Sequence, residues 1–303
     1  GRVDRGHVVR ARDQLQHLVH VHEPPVLSLG VEVLREEGDV LVVNKPCSLP
    51  VHPSGRYRRN TVLGVLAKER GMHGLFNVHR LDRVTSGVLM LAKHRTAALR
   101  LTQAFKEGRA RKRYLARVRG RIPEREVEVR ARIECESKTG AIWRVGGGGK
   151  EAVTVVRELV YDEELGSSLV LCEPKTGRTH QIRLHLKHLG TPIVDDPLYN
   201  PSPSPTHPPY RGAGLDPTLN LEANNWTEPW CPTCQEAAAA SAAGYYMRQK
   251  QHNDESFCMG ICLHALSLTL DAAALPHEAT FAAPLPAWAA EMLGGDAEAL
   301  LGV

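Results

Sequence analysis

The sequence predicts an α+β protein: one large mixed or antiparallel sheet with flanking helices and loops. Two observations predict it. Short apolar runs recur along the chain, "VLVVNKP" at 40–46, "GVLMLAK" at 87–93, "SSLVLCEP" at 167–174 and "CLHALSLTL" at 262–270, each the length of one strand. Segments with helical spacing are fewer, and they punctuate the strands without alternating regularly with them.

Taken in order, residues 1–29 are rich in His and Arg, end in "HVHEPPV", and read as an N-terminal arm. "NTVLGVLAKERG" carries Val62, Leu63, Val65 and Leu66 at helical spacing, with Asn60 as the expected N-cap and Gly71 past the end. "TAALRLTQAFKEG" (96–108) reads as a second helix ended by Gly108. "YLARVRG" alternates, Tyr114, Ala116 and Val118 on one face and Leu115, Arg117 and Arg119 on the other. The glycine run at 146–149 reads as a hairpin or loop insertion. It is no phosphate-binding loop, because Lys150 is followed by Glu151 instead of Ser or Thr. "HQIRLHLKHLG" (180–190) is expected to be a helix with Ile182, Leu186 and Leu189 buried and His180, Arg183 and Lys187 on the opposite face. From 201 to 225 the Pro- and Ser-rich composition predicts a flexible insertion.

The chain of 303 residues has room for one large domain or two small ones. A net charge of +4 is too small to name a partner by itself. Local clustering says more. In "RARKRYLARVRGR" (109–121) seven of thirteen residues are basic and none is acidic, which is either a solvated face or a phosphate-tracking surface. No apolar run reaches the ~20 residues of a membrane span, and no secretory signal pattern opens the sequence. Seven scattered cysteines, an odd number, read as reduced thiols in an intracellular protein. The cytoplasm is the first expectation, with nucleus or organelle as alternatives.

The stretch that asks for chemistry is "HRLDRVTSG" (79–87), where Asp82 lies between Arg80 and Arg83, after His79. A surface salt bridge needs one partner and contributes little. An acid crowded in this way is either a buried structural ion pair or a catalytic carboxylate kept charged by its neighbours. Thr85, Ser86 and Gly87 read as the turn that follows.

"NKPCSLPVHPSG", "HRLDRVTSGVLMLAK", "RKRYLARVRG" and "TGRTHQIRLHLKHLGTPIVDDPLY" occur in the order found in RluA-type pseudouridine synthases, which the chain resembles over roughly residues 30–290. The resemblance implies a pseudouridine synthase catalytic domain over 30–290, followed by a C-terminal tail at 291–303. "EPPV" then resembles the bridge from an S4-like RNA-binding domain, of which residues 1–29 are a remnant. It implies a cofactor-free isomerase that converts uridine in structured RNA to its C-glycoside, with a tRNA anticodon-loop uridine ahead of ribosomal RNA, and a monomer. Asp82 is then the catalytic carboxylate, Arg183 its ionic partner, and Tyr114 the aromatic that stacks on uracil. Arg80 takes the space vacated by the flipped base. His79, Arg83, Arg117, Arg119, Arg178, His180 and Lys187 are expected on the RNA side.

Two features resemble the eukaryotic, tRNA-modifying branch of the family. Asp195–Asp196 stands where Gly-Asp is common. Cys231, Cys234, Cys258 and Cys262 offer a CxxC…CxxxC zinc arrangement, against which Cys262 opens a strand expected to be buried. A metal is not expected. The alternatives to an enzyme are a non-catalytic RNA-binding protein on the same fold and a zinc-stabilised interaction protein.

Overall fold

The computed structural model describes residues 6, 8–14, 23, 26–27, 29–137, 142–200, 260–275 and 277–294. The insertion expected at 201–225, and Cys231, Cys234 and Cys258, lie outside the described residues.

Strands β1 (Glu32–Glu37) and β2 (Val40–Lys45) form an antiparallel hairpin turned at Gly38. Helix α1 (Val62–Arg70) follows, then the short β3 (Phe76–Asn77), β4 (Ser86–Ala92) and helix α2 (Arg95–Lys106). Next come β5 (Ala110–Arg119), β6 (Glu126–Arg130), a small hairpin of β7 (Ile133–Ser137) and β8 (Ile142–Val145), then β9 (Val153–Asp162) and β10 (Ser167–Pro174). Helix α3 (Gln181–His188) precedes β11 (Leu263–Leu270), β12 (Ala279–Ala282) and helix α4 (Ala287–Leu293). Leu293, past the expected start of the tail, is buried.

The main sheet runs β1-β2-β4-β11-β5-β10-β9-β6, with β3 on β4 and β12 on β11. The late strand β11 therefore lies in its middle, parallel to β4 and antiparallel to β5. The α+β expectation holds.

The apolar runs are continuous because this part of the sheet is covered on both faces. On β2, Val40 and Val42 pack toward Ala97, Leu101 and Ala104 of α2, while Leu41 and Val43 pack toward Val62 and Leu66 of α1. On β4, Val88 and Met90 join the first cluster and Leu89 and Leu91 the second. Beyond β11, the cluster of Leu115, Val118, Leu169 and Leu171 is closed by Ile182 and Leu186 of α3 and Trp288 of α4.

Two helix ends differ from expectation. Thr61, not Asn60, caps α1, its hydroxyl accepting the Gly64 N–H at 3.0 Å. The Asn60 N–H is instead engaged by the Glu23 carboxylate, 2.8 Å away, which also accepts from the Arg59 N–H. His180 is not the first residue of a helical face: it precedes α3 with left-handed backbone, φ 55°.

Candidate active site

Asp82 lies in the loop between β3 and β4, and that loop is pinned on both sides. Before it, the His79 ring accepts the Met90 N–H at 3.0 Å and stacks on Phe105 of α2 with centroids 4.6 Å apart. Burial pulls the His79 imidazole down to about 3, so the ring stays neutral and keeps its acceptor. His79 thus anchors the backbone of the strand that follows. After Asp82, the Lys45 ammonium, fully buried at the end of β2, donates to the carbonyls of Pro46, Leu49 and Arg83 at 2.8, 2.7 and 3.2 Å. Burial pulls this amine down to about 7, with the charge of Asp82 opposing that shift. Three acceptors need three N–H donors, which only the ammonium supplies. The Asp82 carbonyl itself accepts the Thr85 N–H at 3.1 Å.

The opposite wall comes from α3 and the turn before it. Gln181 holds that turn: its side-chain oxygen accepts from the Thr176 hydroxyl and the Arg178 N–H, and its amide donates to Val153 and Thr154. His185 bonds Thr154 and the Ala131 carbonyl. These polar side chains are consumed inside the protein, so six consecutive residues from Gln181 to Leu186 are buried. The expected division of this helix into apolar and exposed polar faces is therefore wrong. Leu189 is only half-buried, and Arg183 is 5% exposed.

Arg183 has two carboxylate partners. Its Nε and Nη2 donate to Asp196 at 2.7 and 2.8 Å in a bidentate fork, while its Nη1 is 3.8 Å from Asp82 Oδ2. Asp196, not Asp82, is the primary ionic partner. Asp196 is itself fixed by the N–H groups of Leu198 and Tyr199. Burial works against the Arg183 charge, but the bonds to Asp196 and the field of Asp82 outweigh it and raise its pKa. The guanidinium also lies over the Tyr199 ring, 4.8 Å from its centroid. His180 Nδ1 shares a 2.7 Å hydrogen bond with the Tyr199 hydroxyl, and its Nε2 is 3.9 Å from Asp82. Burial lowers the His180 pKa, so the charge facing Asp82 comes from Arg183.

Asp82, Tyr114, Arg183, Arg80, His79, Arg178 and His180 line one cleft of about 580 Å³. Tyr114 enters it from β5, and burial, with Asp82 adding to it, pushes its phenol up, so the hydroxyl remains protonated. Arg178 is braced by the Glu151 carbonyl. Lys112 joins the lining, its pKa lowered by burial. Arg83 faces a neighbouring cleft.

Three expected RNA-binding residues lie elsewhere. Arg117 is 3% exposed and donates to the Ser167 hydroxyl, so it belongs to the interior. Arg119 ends β5, five residues and roughly 17 Å along the strand from Tyr114, near Asn200. Lys187 is exposed over the Tyr199 ring at 5.6 Å, outside the cleft lining. Three of the seven basic residues of the run face carboxylates: Arg109 with Glu107, Arg111 with Glu278, Arg113 with Glu173.

Sequence reasoning missed Lys45, Asp196, Tyr199 and Gln181. A lysine ending an apolar strand was the available signal for Lys45. For Asp195–Asp196 the signal was the departure from Gly-Asp: Asp195 has φ 65°, the left-handed region that favours Gly and that Asp tolerates. Burial raises the Asp195 carboxyl to about 6. Cys262 is packed in the core, 3.8 Å from Asp195, and burial pushes its thiol up. Among the described residues no group of three His, Cys, Asp or Glu is placed to hold a metal.

A carboxylate presented by a pinned loop thus shares one cleft of a mixed sheet with a locked guanidinium and a neutral tyrosine. Residues 39–188 match the RNA pseudouridylate synthase family, and the chain belongs to it. It is 45% identical over 207 residues to the human Pseudouridylate synthase RPUSD2, covering 68% of this chain and 37% of that protein. It is 41% identical over 202 residues to the Saccharomyces cerevisiae mitochondrial tRNA pseudouridine(32) synthase, covering 65% and 43%. The chain thus spans less than half of either relative. The solved structure of Human RNA Pseudouridylate Synthase Domain Containing 1 superimposes with a TM-score of 0.58 at 25% identity, over 85% of this chain and 84% of that one. The pseudouridine synthase fold follows.

Proposed function

We propose that the protein isomerises uridine to pseudouridine in structured RNA, with Asp82 as the catalytic carboxylate. The observation that carries this reading is the pairing of the half-buried Asp82 with an Arg183 that cannot leave it. Its fork is occupied by Asp196, and its remaining nitrogen stays 3.8 Å from Asp82. The fixed guanidinium presents its charge toward the Asp82 side chain. Asp82 then acts as nucleophile at C1′ or as the base that removes a sugar proton. The N1–C1′ bond breaks as Asp82 bonds to C1′ or takes the sugar proton, and the uracil turns in the cleft; C5 then bonds to C1′ as the Asp82–C1′ bond breaks or the sugar proton returns, the C5 proton leaves to solvent, and N1 takes up a proton.

Tyr114 supplies a stacking face and stays protonated in the cleft, while Arg80 fills the space left by the flipped base. The reaction needs no cofactor. Relatives named for positions 32 and 31 of tRNA support a tRNA anticodon-loop target ahead of ribosomal RNA. Among the described residues no helix is long and apolar enough to cross a membrane.

The test is tritium release from tRNA transcripts labelled at uridine C5. Asp82→Asn should abolish release while keeping RNA affinity within about threefold, because the phosphate contacts persist. Release at the parent rate would remove Asp82 from the chemistry.

A further inference from the structure

We propose that a second cleft, walled by Arg56, Tyr57, Arg80 and Arg83, is a subsite for a nucleotide that neighbours the target uridine in the same RNA strand. It deepens the proposed function and rests on RNA being the substrate.

This cleft, about 300 Å³, is separate from the one holding Asp82, yet Arg80 and Leu81 line both. The residue before Asp82 is therefore a partition between two adjoining compartments. A strand that delivers one base to Asp82 passes its adjoining phosphate over this partition. The lining suits a phosphate: it contains three arginines and one histidine and no carboxylate. Arg56 and Arg80 form no ion pair with any described residue. They differ in this from Arg109, Arg111 and Arg113 on β5, which face carboxylates.

The loop that forms this cleft is tied by its own hydrogen bonds. Ser54 and Tyr57 exchange both backbone hydrogen bonds, at 3.1 and 3.0 Å, around Gly55 at φ 53°. Arg58 ties the turn internally by donating to the carbonyls of Gly55 and Tyr57, both at 2.8 Å. Glu23 holds the next two backbone N–H groups. Arg56 is thereby presented at the tip of a fixed turn, and Tyr57, half-buried, offers an aromatic face with the Arg83 guanidinium 5.9 Å from its centroid. An aromatic ring beside guanidinium groups is the composition that holds an unstacked base and its phosphate.

The experiment measures binding of an anticodon stem-loop RNA to protein carrying Asp82→Asn, so that affinity is read without turnover. Arg56→Ala should weaken binding roughly 5-fold and reduce the salt slope by about 1, with an unchanged melting temperature. Tyr57→Leu should weaken it roughly 5- to 20-fold. Single abasic substitutions at each loop nucleotide flanking the target then locate the contact. At one position the abasic loss should disappear in Tyr57→Leu, because base and ring report the same interaction. Losses that multiply at every position, or Arg56→Ala binding with the parent affinity and slope, would overturn the subsite. Because the readout is binding, turnover by Asp82→Asn would remove the reaction assignment and leave this result standing.

Discussion

At the scale of single residues, the cleft around Asp82 is organised by side chains that hold one another. Arg183 faces Asp82 because Asp196 fixes the other edge of its guanidinium. Removing one member of a buried pair leaves an uncompensated charge, at a cost of about 3–5 kcal/mol. Two couplings follow. In urea melts, Arg183→Met and Asp196→Asn should be strongly non-additive, with an interaction of about 2 kcal/mol. Arg183→Met and Asp82→Asn should couple more weakly, by under about 1 kcal/mol, since 3.8 Å is beyond hydrogen-bond contact. Asp196→Asn should also lose turnover through the freed guanidinium. Additivity of the Arg183–Asp196 pair would contradict the fork.

At the scale of elements, the tight junction is between β4 and β11. Gly87 pairs with Ala265, has φ 109°, and a Cβ there would lie 2.2 Å from the Ala265 carbonyl oxygen. Neither the conformation nor the space admits a side chain. Gly87→Ala should therefore destabilise the fold by about 2–4 kcal/mol, separating strands whose junction sits five residues after Asp82. Chemical denaturation checks this, and a parent-like midpoint would mean the strands yield easily. The turn after Asp82 comes earlier than expected: the Thr85 N–H closes it on the Asp82 carbonyl, while Ser86 and Gly87 already belong to β4, where Gly87 sets the backbone spacing. The strand alternation was legible: in β2 and β4 the two faces separate residue by residue between α1 and α2. Helix α3 was not legible in that way, because Gln181, Arg183 and His185 find internal partners on other segments: Thr154 of β9, Asp196 of the following turn and the Ala131 carbonyl.

At the scale of the whole molecule, pH acts on stability through buried groups far apart in sequence. Burial holds His79 at about 3 and His264 at about 4, so both stay neutral when folded but take up protons near 6.5 when unfolded. Between those values the unfolded chain binds more protons, so stability is lost as pH falls below about 6.5. By pH 5 each histidine should have cost about 2 kcal/mol. Asp195, raised to about 6, has the opposite sign: the folded state keeps its proton, and that contribution is lost as pH rises through about 6. Urea midpoints should fall between pH 7.5 and pH 5, and Asp195→Asn should steepen that fall. A flat profile would mean the histidines are not held neutral.

The amino-acid sequence by itself determined the class of fold, the strand runs, the candidate acid and the family. Each of these is local: period-2 alternation and short motifs are carried by neighbours along the chain. Asp82, Tyr114 and Arg183 were identifiable for that reason. The tertiary structure alone decided what each charge meets. Arg117 and Arg119 share a strand face by parity, yet one is enclosed beside Ser167 and the other ends the strand near Asn200. Arg183 prefers Asp196 to Asp82, and Lys45 holds the loop after Asp82, because β2, the β3–β4 loop, α3 and the 195–200 turn converge only when folded. A buried charge takes its energy from whatever lies within a few ångströms, and for this sheet those neighbours come from segments that the late strand β11 and its pairing bring together.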